Sequence, residues 1–200
     1  MDITNSSKSR LDPLLLVRQW VDDARTKEPY DAEAMSLATS DKDGKVSLRM
    51  VLLRGMDERG LVFYTNLNSK KAYDIQENPW VALCFHWKST ARQIRVEGTA
   101  NLVTDAEADS YFRSRDRESR IGAWTSRQSE ILPNREVLER RFREFHKKYE
   151  GDDVPRPEFW SGYRVSAERI EFWEKMPHRL HERKLFEKDG DSWTDVLLYP

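Results

Sequence analysis

The sequence predicts an α+β fold, mainly antiparallel β, in the form of a barrel with helical insertions. Short apolar or alternating runs such as LVFYT, WVALCFHW and RQIRVEGTANLV are bounded by turn residues, which marks antiparallel strands. Helical patterns are inserted between these runs. No repeat or low-complexity linker interrupts the chain, and its 200 residues suit one domain with a core of its own.

Taken in order, residues 1–11 are polar and expected to be flexible, with a single domain over 12–200. DPLLLVRQWVDDART predicts a helix capped by Asp12, with Pro13 at its first position and Leu16, Trp20 and Ala24 on one stripe. AMSLATS and KVSLRMVLL predict strands joined by the turn DKDGK. DERG turns into the strand LVFYT. NSKKAYDIQENP predicts a short helix with Asn68 or Ser69 as cap and Pro79 as stop. Two strands follow, over WVALCFHW and RQIRVEGTANLV. The chain then turns helical: DAEADSYFRSR, a connector, and the highly charged NREVLERRFREFHKKYE, whose charges mark a solvated face. SGYRVSAERIEFWEK, HRLHERKLFEKDG and SWTDVLLYP close the chain as three β segments.

Composition narrows the function classes. With 34 Lys+Arg against 35 Asp+Glu, the net charge is −1, and there is no global basic field of the kind nucleic-acid binders use. Cys84 is the one cysteine, which excludes an intrachain disulfide and a cysteine-based metal site; in its apolar run it reads as a buried small hydrophobe. The histidines lack metal-ligand spacing. There is no 18-residue apolar run and no signal-peptide core, so a cytoplasmic protein without membrane contact is expected. Nucleophile triads, phosphate loops, G-x-G-x-x-G and H-E-x-x-H are absent, so chemistry would have to come from a bound cofactor.

Five stretches carry candidate chemistry. In RMVLLR, Arg49 and Arg54 have odd spacing and would face opposite sides of a strand. They are either ordinary surface and strand-end arginines or partners of two different anions. In YTNLNSKKA, Lys70 and Lys71 open a helix, where the dipole is already positive; either they are solvated or an anion offsets the repulsion. In YFRSRDRES, Tyr111, Arg115 and Ser119 recur at i, i+4, i+8 and would share a helical face. That face is an incidental amphipathic surface or a set of phosphate donors. Gln93, Gln128 and Ser129 suit either ordinary turns or the polar edge of a heteroaromatic ring. In HRLHERKLF, a strand would place Arg179, His181 and Arg183 on one face, with Trp173 upstream. A lone histidine is usually structural; three polar groups in register are harder to explain that way, and the row is either a bland polar face or a ligand site.

Together the runs RMVLLR, GLVFYTNLNSKKA, RQIRVEG, YFRSR, SRIGAWTSRQS, IEFW and RLHER resemble the pyridoxine/pyridoxamine 5′-phosphate oxidase family, over nearly the whole span from Asp12 to Pro200. The resemblance implies an FMN-binding split barrel, a Greek-key barrel with flanking helices, working as a homodimer with FMN at the interface. It implies oxidation of pyridoxamine 5′-phosphate and pyridoxine 5′-phosphate to pyridoxal 5′-phosphate. Hydride would pass from C4′ to flavin N5, and O₂ would accept the electrons and give H₂O₂. For FMN it points to Arg49, Met50, Val51, Leu52, Leu53, Tyr64, Thr65, Lys70, Lys71 and Gln93, with Gln128, Ser129, Trp173 and Arg183 coming from the partner subunit. For substrate it points to Arg54, Tyr111, Arg115 and Ser119 at the phosphate, and to Arg179 and His181 at the ring, where they would do the catalytic work. Arg54 stands where the family usually has lysine. RLHER replaces the usual RLHDR. The eleven residues before Asp12 hold no match to the Arg/Tyr lid segment of many members, so a lid is expected to be absent or supplied differently.

Overall fold

In the computed structural model of the chain, residues 7–9 and 11–200 are described. Residues 1–6 and 10, part of the segment expected to be flexible, lie outside the described residues. In chain order the elements are β1 (Ser7–Lys8), α1 (Pro13–Lys27), β2 (Ala34–Ser40), β3 (Val46–Leu52), β4 (Gly55–Asp57), β5 (Gly60–Asn66), α2 (Lys70–Glu77), β6 (Trp80–Trp87) and β7 (Arg92–Leu102). They continue with α3 (Asp105–Ser114), α4 (Arg117–Thr125), α5 (Arg135–Lys148), β8 (Trp160–Glu174), β9 (Glu182–Asp189) and β10 (Ser192–Leu197).

Among the described residues, ten strands form one curled antiparallel sheet in the order β1-β10-β9-β8-β7-β6-β2-β3, with β5 pairing both β4 and β8. The long β8 makes the sheet split. Its first half pairs β5 (Thr65↔Ser161), its second half pairs β9 (Trp173↔Arg183), and β7 runs along its other side. The β7–β8 register shifts at Glu97/Gly98, where a Cβ on Gly98 would lie 2.0 Å from the Ser166 carbonyl oxygen. Only glycine allows the backbones to approach so closely.

The core lies inside the curl. Met35, Leu37, Leu61, Phe63, Phe85, Ile94, Ile170 and Phe172 are buried from the strands, and Val17, Val21 and Ala24 of α1 pack onto them. The expected stripe is thus rotated: Val17 and Val21 are buried, while Leu16 and Trp20 flank them partly covered. Asp12 caps α1 as expected, accepting from Leu14 N at 2.9 Å. A satellite core of Ile121, Tyr149 and Val154 joins α4 to α5, and no residue of α5 itself is fully buried. Cys84, expected buried, is only half-buried, because its β6 position faces outward in register with Ser36 and Arg95.

Two elements depart from expectation in ways that shape the site. The helix expected to run through Tyr111, Arg115 and Ser119 breaks at Arg115, which has extended backbone, and Asp116 caps a new helix by accepting from Ser119 N at 2.8 Å. HRLHERKLF is a strand only from Glu182. Pro177–Arg179 forms a 3₁₀ turn in which His178 and Arg179 have φ of 58° and 63°. Proline lacks the ladder N–H, and two successive left-handed residues cannot continue a pleat.

Candidate active site

A cavity of about 750 Å³ opens between the ends of β3 and β5, the start of α2 and the α3–α4 break. Met50, Val51 and Leu52 form one wall, and Tyr64, Thr65 and Lys71 form another. Arg54, Tyr111, Arg115, Ser119 and Gln128 complete it, so eleven of the residues expected from the sequence converge in one place. Arg49, Leu53, Lys70, Gln93, Ser129, Trp173, Arg179, His181 and Arg183 do not line it. Leu53 is part of the core instead.

At one end stands Lys71, 9% exposed. Its Nζ donates to Gln128 Oε1 (2.7 Å), Thr65 Oγ1 (3.1 Å) and Ser69 Oγ (3.1 Å), all neutral acceptors. Burial, reinforced by the charge of Arg49, lowers its pKa to about 8. A buried ammonium held only by neutral groups is expensive until an anion reaches it. Ser69 occupies the N-cap position of α2 but makes no side-chain cap bond; its hydroxyl accepts from Lys71 instead. Lys70 N donates to Ser129 Oγ (3.2 Å) and Lys70 Nζ to Asp74 (2.8 Å). Gln128 and Ser129 therefore meet this turn within the same chain, where the resemblance placed them on a partner.

The other end is cationic and aromatic. Tyr64 stacks on Tyr111 (4.0 Å between centroids) and on Trp160 (5.3 Å). Gly162 makes room for the Tyr64 ring, since a Cβ there would come within 2.7 Å of it. The Arg115 guanidinium lies 5.0 Å over the Trp160 ring, and its Nη1 is buried with no hydrogen-bond partner. Burial lowers its pKa, with Tyr111 and Asp116 pulling the other way. Breaking the helix at Arg115 turns this side chain inward between Tyr111 on one helix and Ser119 in the first turn of the next. Arg54, just beyond β3, lines this end, whereas Arg49 lies outside the lining with its Nη1 held by Thr39 Oγ1 (2.7 Å), so the two arginines do occupy different places.

The remaining residues form a second cluster. Gln93, Trp173 and Arg183 stand in register across β7, β8 and β9. His181 packs on Trp173 at 4.7 Å, and its Nδ1 accepts from Met176 N at 3.2 Å. In the neutral ring that bond leaves the proton on Nε2. Arg183 Nε donates to Glu171 (2.8 Å) and Nη1 to the Tyr199 carbonyl (3.0 Å). Arg179 is exposed on the left-handed turn. The sheet face that carries this row also carries Met50, through the register Met50↔Ser36↔Cys84↔Arg95↔Glu171. Val46, Leu48 and Met50 are exposed along it, at 73%, 68% and 61%.

Sequence reasoning missed Thr39 and Asp74, two buried polar residues behind Arg49 and Lys70. Asp74 stands four residues after Lys70, the one pattern that could have found it. Among the described residues no cluster of three His, Cys, Asp or Glu could hold a metal ion, and no helix is long and apolar enough to cross a membrane.

Comparison with known proteins agrees with this geometry. Residues 23–149 match the family model described as Pyridoxamine 5'-phosphate oxidase, and residues 160–200 match that of the Pyridoxine 5'-phosphate oxidase C-terminal dimerisation region. The Pyridoxine/pyridoxamine 5'-phosphate oxidase of Sphingopyxis alaskensis is 54% identical over 189 residues, covering 94% of this chain and 88% of that protein. The one from Rhodospirillum rubrum is 52% identical over 200 residues, covering 98% and 100%. In structure, the chain is similar to PhzG from Burkholderia lata 383, solved in complex with tetrahydrophenazine-1-carboxylic acid, with a TM-score of 0.90, 31% identity, and 94% and 93% of the two chains covered. With a curled split sheet, a cavity lined by Arg54, Lys71 and Arg115, and matches across nearly its full length, the chain belongs to the pyridoxamine 5'-phosphate oxidase family.

Proposed function

We propose that this protein oxidises pyridoxamine 5′-phosphate and pyridoxine 5′-phosphate to pyridoxal 5′-phosphate, using FMN, at a site completed by a second copy of the chain. One observation supports this above all: a single cavity holds two cationic groups in want of an anion, the buried Lys71 and the half-buried Arg115. Lys71 has only neutral acceptors, and Arg115 Nη1 has none. The ligand pair of this reaction brings two phosphates, each carrying about −1.5 to −2 charge near neutral pH.

The residues present fit the cofactor. Lys71, Arg49 and Ser129 would hold the FMN phosphate. Met50 to Leu52 would border its ring system. FMN, when bound, supplies the hydride acceptor for C4′ and passes the electrons to O₂.

Arg54, Tyr111, Arg115 and Ser119 would take the substrate phosphate. Anchoring there turns the pyridine ring toward the flavin and makes hydride transfer effectively unimolecular. Gln93, Trp173 and Arg183 from the second copy would meet the flavin, and Arg179 would cover the open side of the substrate ring. His181, with its proton on Nε2, would donate to a ring substituent. The match of residues 160–200 to a dimerisation region, and the exposed apolar row of β3 on the same face, support a second copy as their route to the cavity.

The test is purified protein with FMN and pyridoxamine 5′-phosphate in air. Aldehyde product and hydrogen peroxide are expected in equal amounts, with the flavin bleaching when O₂ is excluded. Absence of both products would sink the proposal.

A further inference from the structure

Behind the FMN-phosphate end of the cavity lies a buried polar relay. Thr39 of β2 is 2% exposed and Asp74 of α2 is 3% exposed. The Thr39 hydroxyl donates to Asp74 Oδ2 at 2.7 Å and accepts from Arg49 Nη1, also at 2.7 Å. Asp74 Oδ1 accepts from Lys70 Nζ at 2.8 Å, and Arg49 Nη2 stands 3.8 Å from Oδ2. Arg49 Nη1 donates besides to the Leu37 carbonyl at 3.2 Å. Burial lowers the pKa of Arg49 against the pull of Asp74, while the Lys70, Thr39 and Arg49 contacts hold Asp74 below the usual carboxylate range despite its burial.

The arrangement goes beyond what packing needs. A buried threonine in a strand usually returns its hydroxyl to a neighbouring backbone group. This one uses its single proton on a carboxylate and a lone pair on a guanidinium. Arg49 is thereby gripped along its Nη1 edge, close enough to Lys71 for its charge to depress that ammonium. Two like charges held together are stable only if something pins each in place and something negative stands nearby. Asp74 supplies the negative charge on the protein side, and Thr39 sets the angle of the guanidinium.

Resting on the FMN-phosphate site proposed above, we infer that Thr39 and Asp74 are positioning residues. They aim Arg49 at the FMN phosphate and draw Lys70 Nζ aside, leaving Lys71 as the ammonium that meets the anion. Neither residue touches the ligand; each acts through a cation.

Riboflavin, which lacks the phosphate, separates positioning from general damage. The full-length chain, freed of flavin, is titrated with FMN and with riboflavin, following quenching of flavin fluorescence. Thr39→Val keeps shape and charge but removes both bonds. It is expected to weaken FMN about tenfold, the scale of a hydrogen bond to a charged group, and to leave riboflavin unchanged, while Thr39→Ser restores FMN. FMN bound as tightly as by the native chain, or equal weakening of both flavins, would overturn the inference. Should the valine variant not fold, Thr39→Ala, which leaves room for a water against Asp74, is expected to shift FMN alone in the same sense. FMN held at native affinity there would equally refute it. Lys71→Ala separates the two levels. If it too leaves the preference for FMN over riboflavin intact, the phosphate placement itself is wrong. If it abolishes that preference while Thr39→Val does not, only the positioning role fails.

Discussion

The two polar clusters solve the problem of charge in opposite ways. In the cavity, Lys71 is buried against three neutral acceptors and Arg115 carries an unpartnered Nη1. On the β7–β9 row, Arg183 is paired with the buried carboxylate of Glu171, which also binds Arg95 at 3.1 Å. The cavity is set between strand ends and helix starts. The row ends in an open turn, with Leu180 69% exposed. A cation left without a carboxylate belongs where an anion will arrive; a cation already neutralised can stand at a surface until another chain covers it. One chain thus carries two halves of different character, a cavity with uncompensated cations and a surface row whose arginine is already paired.

The sharpest way to break this comparison is to damage one half in each of two chains. Arg115→Ala and Arg179→Ala are each expected to lower turnover at least ~100-fold. If the halves join across a two-fold dimer, denaturing and refolding the two variants together should restore about a quarter of native activity, because half the dimers are mixed and each has one intact site. No recovery would mean that each chain supplies both halves of its own site.

The next contrast separates cofactor from substrate. Lys71→Ala is expected to weaken FMN about 100-fold, as befits loss of a buried charge-assisted partner. Arg179→Ala should leave flavin titrations unchanged while KM rises and kcat falls. Loss of FMN from the Arg179 variant would reverse the assignment of the two halves.

Acidity tests the cavity alone. Lys71 titrates at about 8 when folded against an ordinary value of 10.5. Between these values the unfolded chain binds more protons at this position, so the flavin-free protein gains stability from Lys71 as pH rises through that window. FMN affinity should run the other way, falling by up to about tenfold per pH unit above 8, since the phosphate needs the ammonium. Calorimetric melting and flavin titration at several pH values check both signs, and Lys71→Met should remove both trends.

The smallest expected effect concerns the open turn. In His181→Asn the amide oxygen can take the place of Nδ1 and keep the bond from Met176 N; in His181→Gln it cannot. If that bond helps hold Arg179, KM for pyridoxamine 5′-phosphate should rise about threefold more in the Gln variant, on the scale of one neutral hydrogen bond. The reverse order would assign the role of His181 to Nε2.

What could be read in advance followed locality. The strands, the hairpin turn at DKDGK and the cap at Asp12 depend on neighbours within a few residues, and all stand in the structure except the first part of HRLHERKLF, which is a strand only from Glu182. The trio Tyr111, Arg115 and Ser119 shows how a pattern can find the right residues for the wrong reason. Their spacing suggested one helix, whereas an aspartate cap splits the helix and the break itself points Arg115 into the cavity. The even spacing in HRLHERKLF misled more deeply. Left-handed backbone at His178 and Arg179 leaves no mark in sequence, as glycine would have done. Thr39 and Asp74, 35 residues apart, share no pattern and meet only once α2 lies against the sheet.

By itself, then, the sequence determined the element types, the antiparallel class and most of the chemistry-bearing residues, because periodicity, capping and turn propensity are local and each residue carries its own share. Tertiary structure alone decided how those residues divide between a cavity and a surface row, and that Gln128 and Ser129 serve their own chain's lysines. It alone decided which cations are compensated. Those outcomes depend on long-range register and on burial, which set the dielectric and the partners each charge meets, and no stretch of sequence encodes either until the sheet has curled.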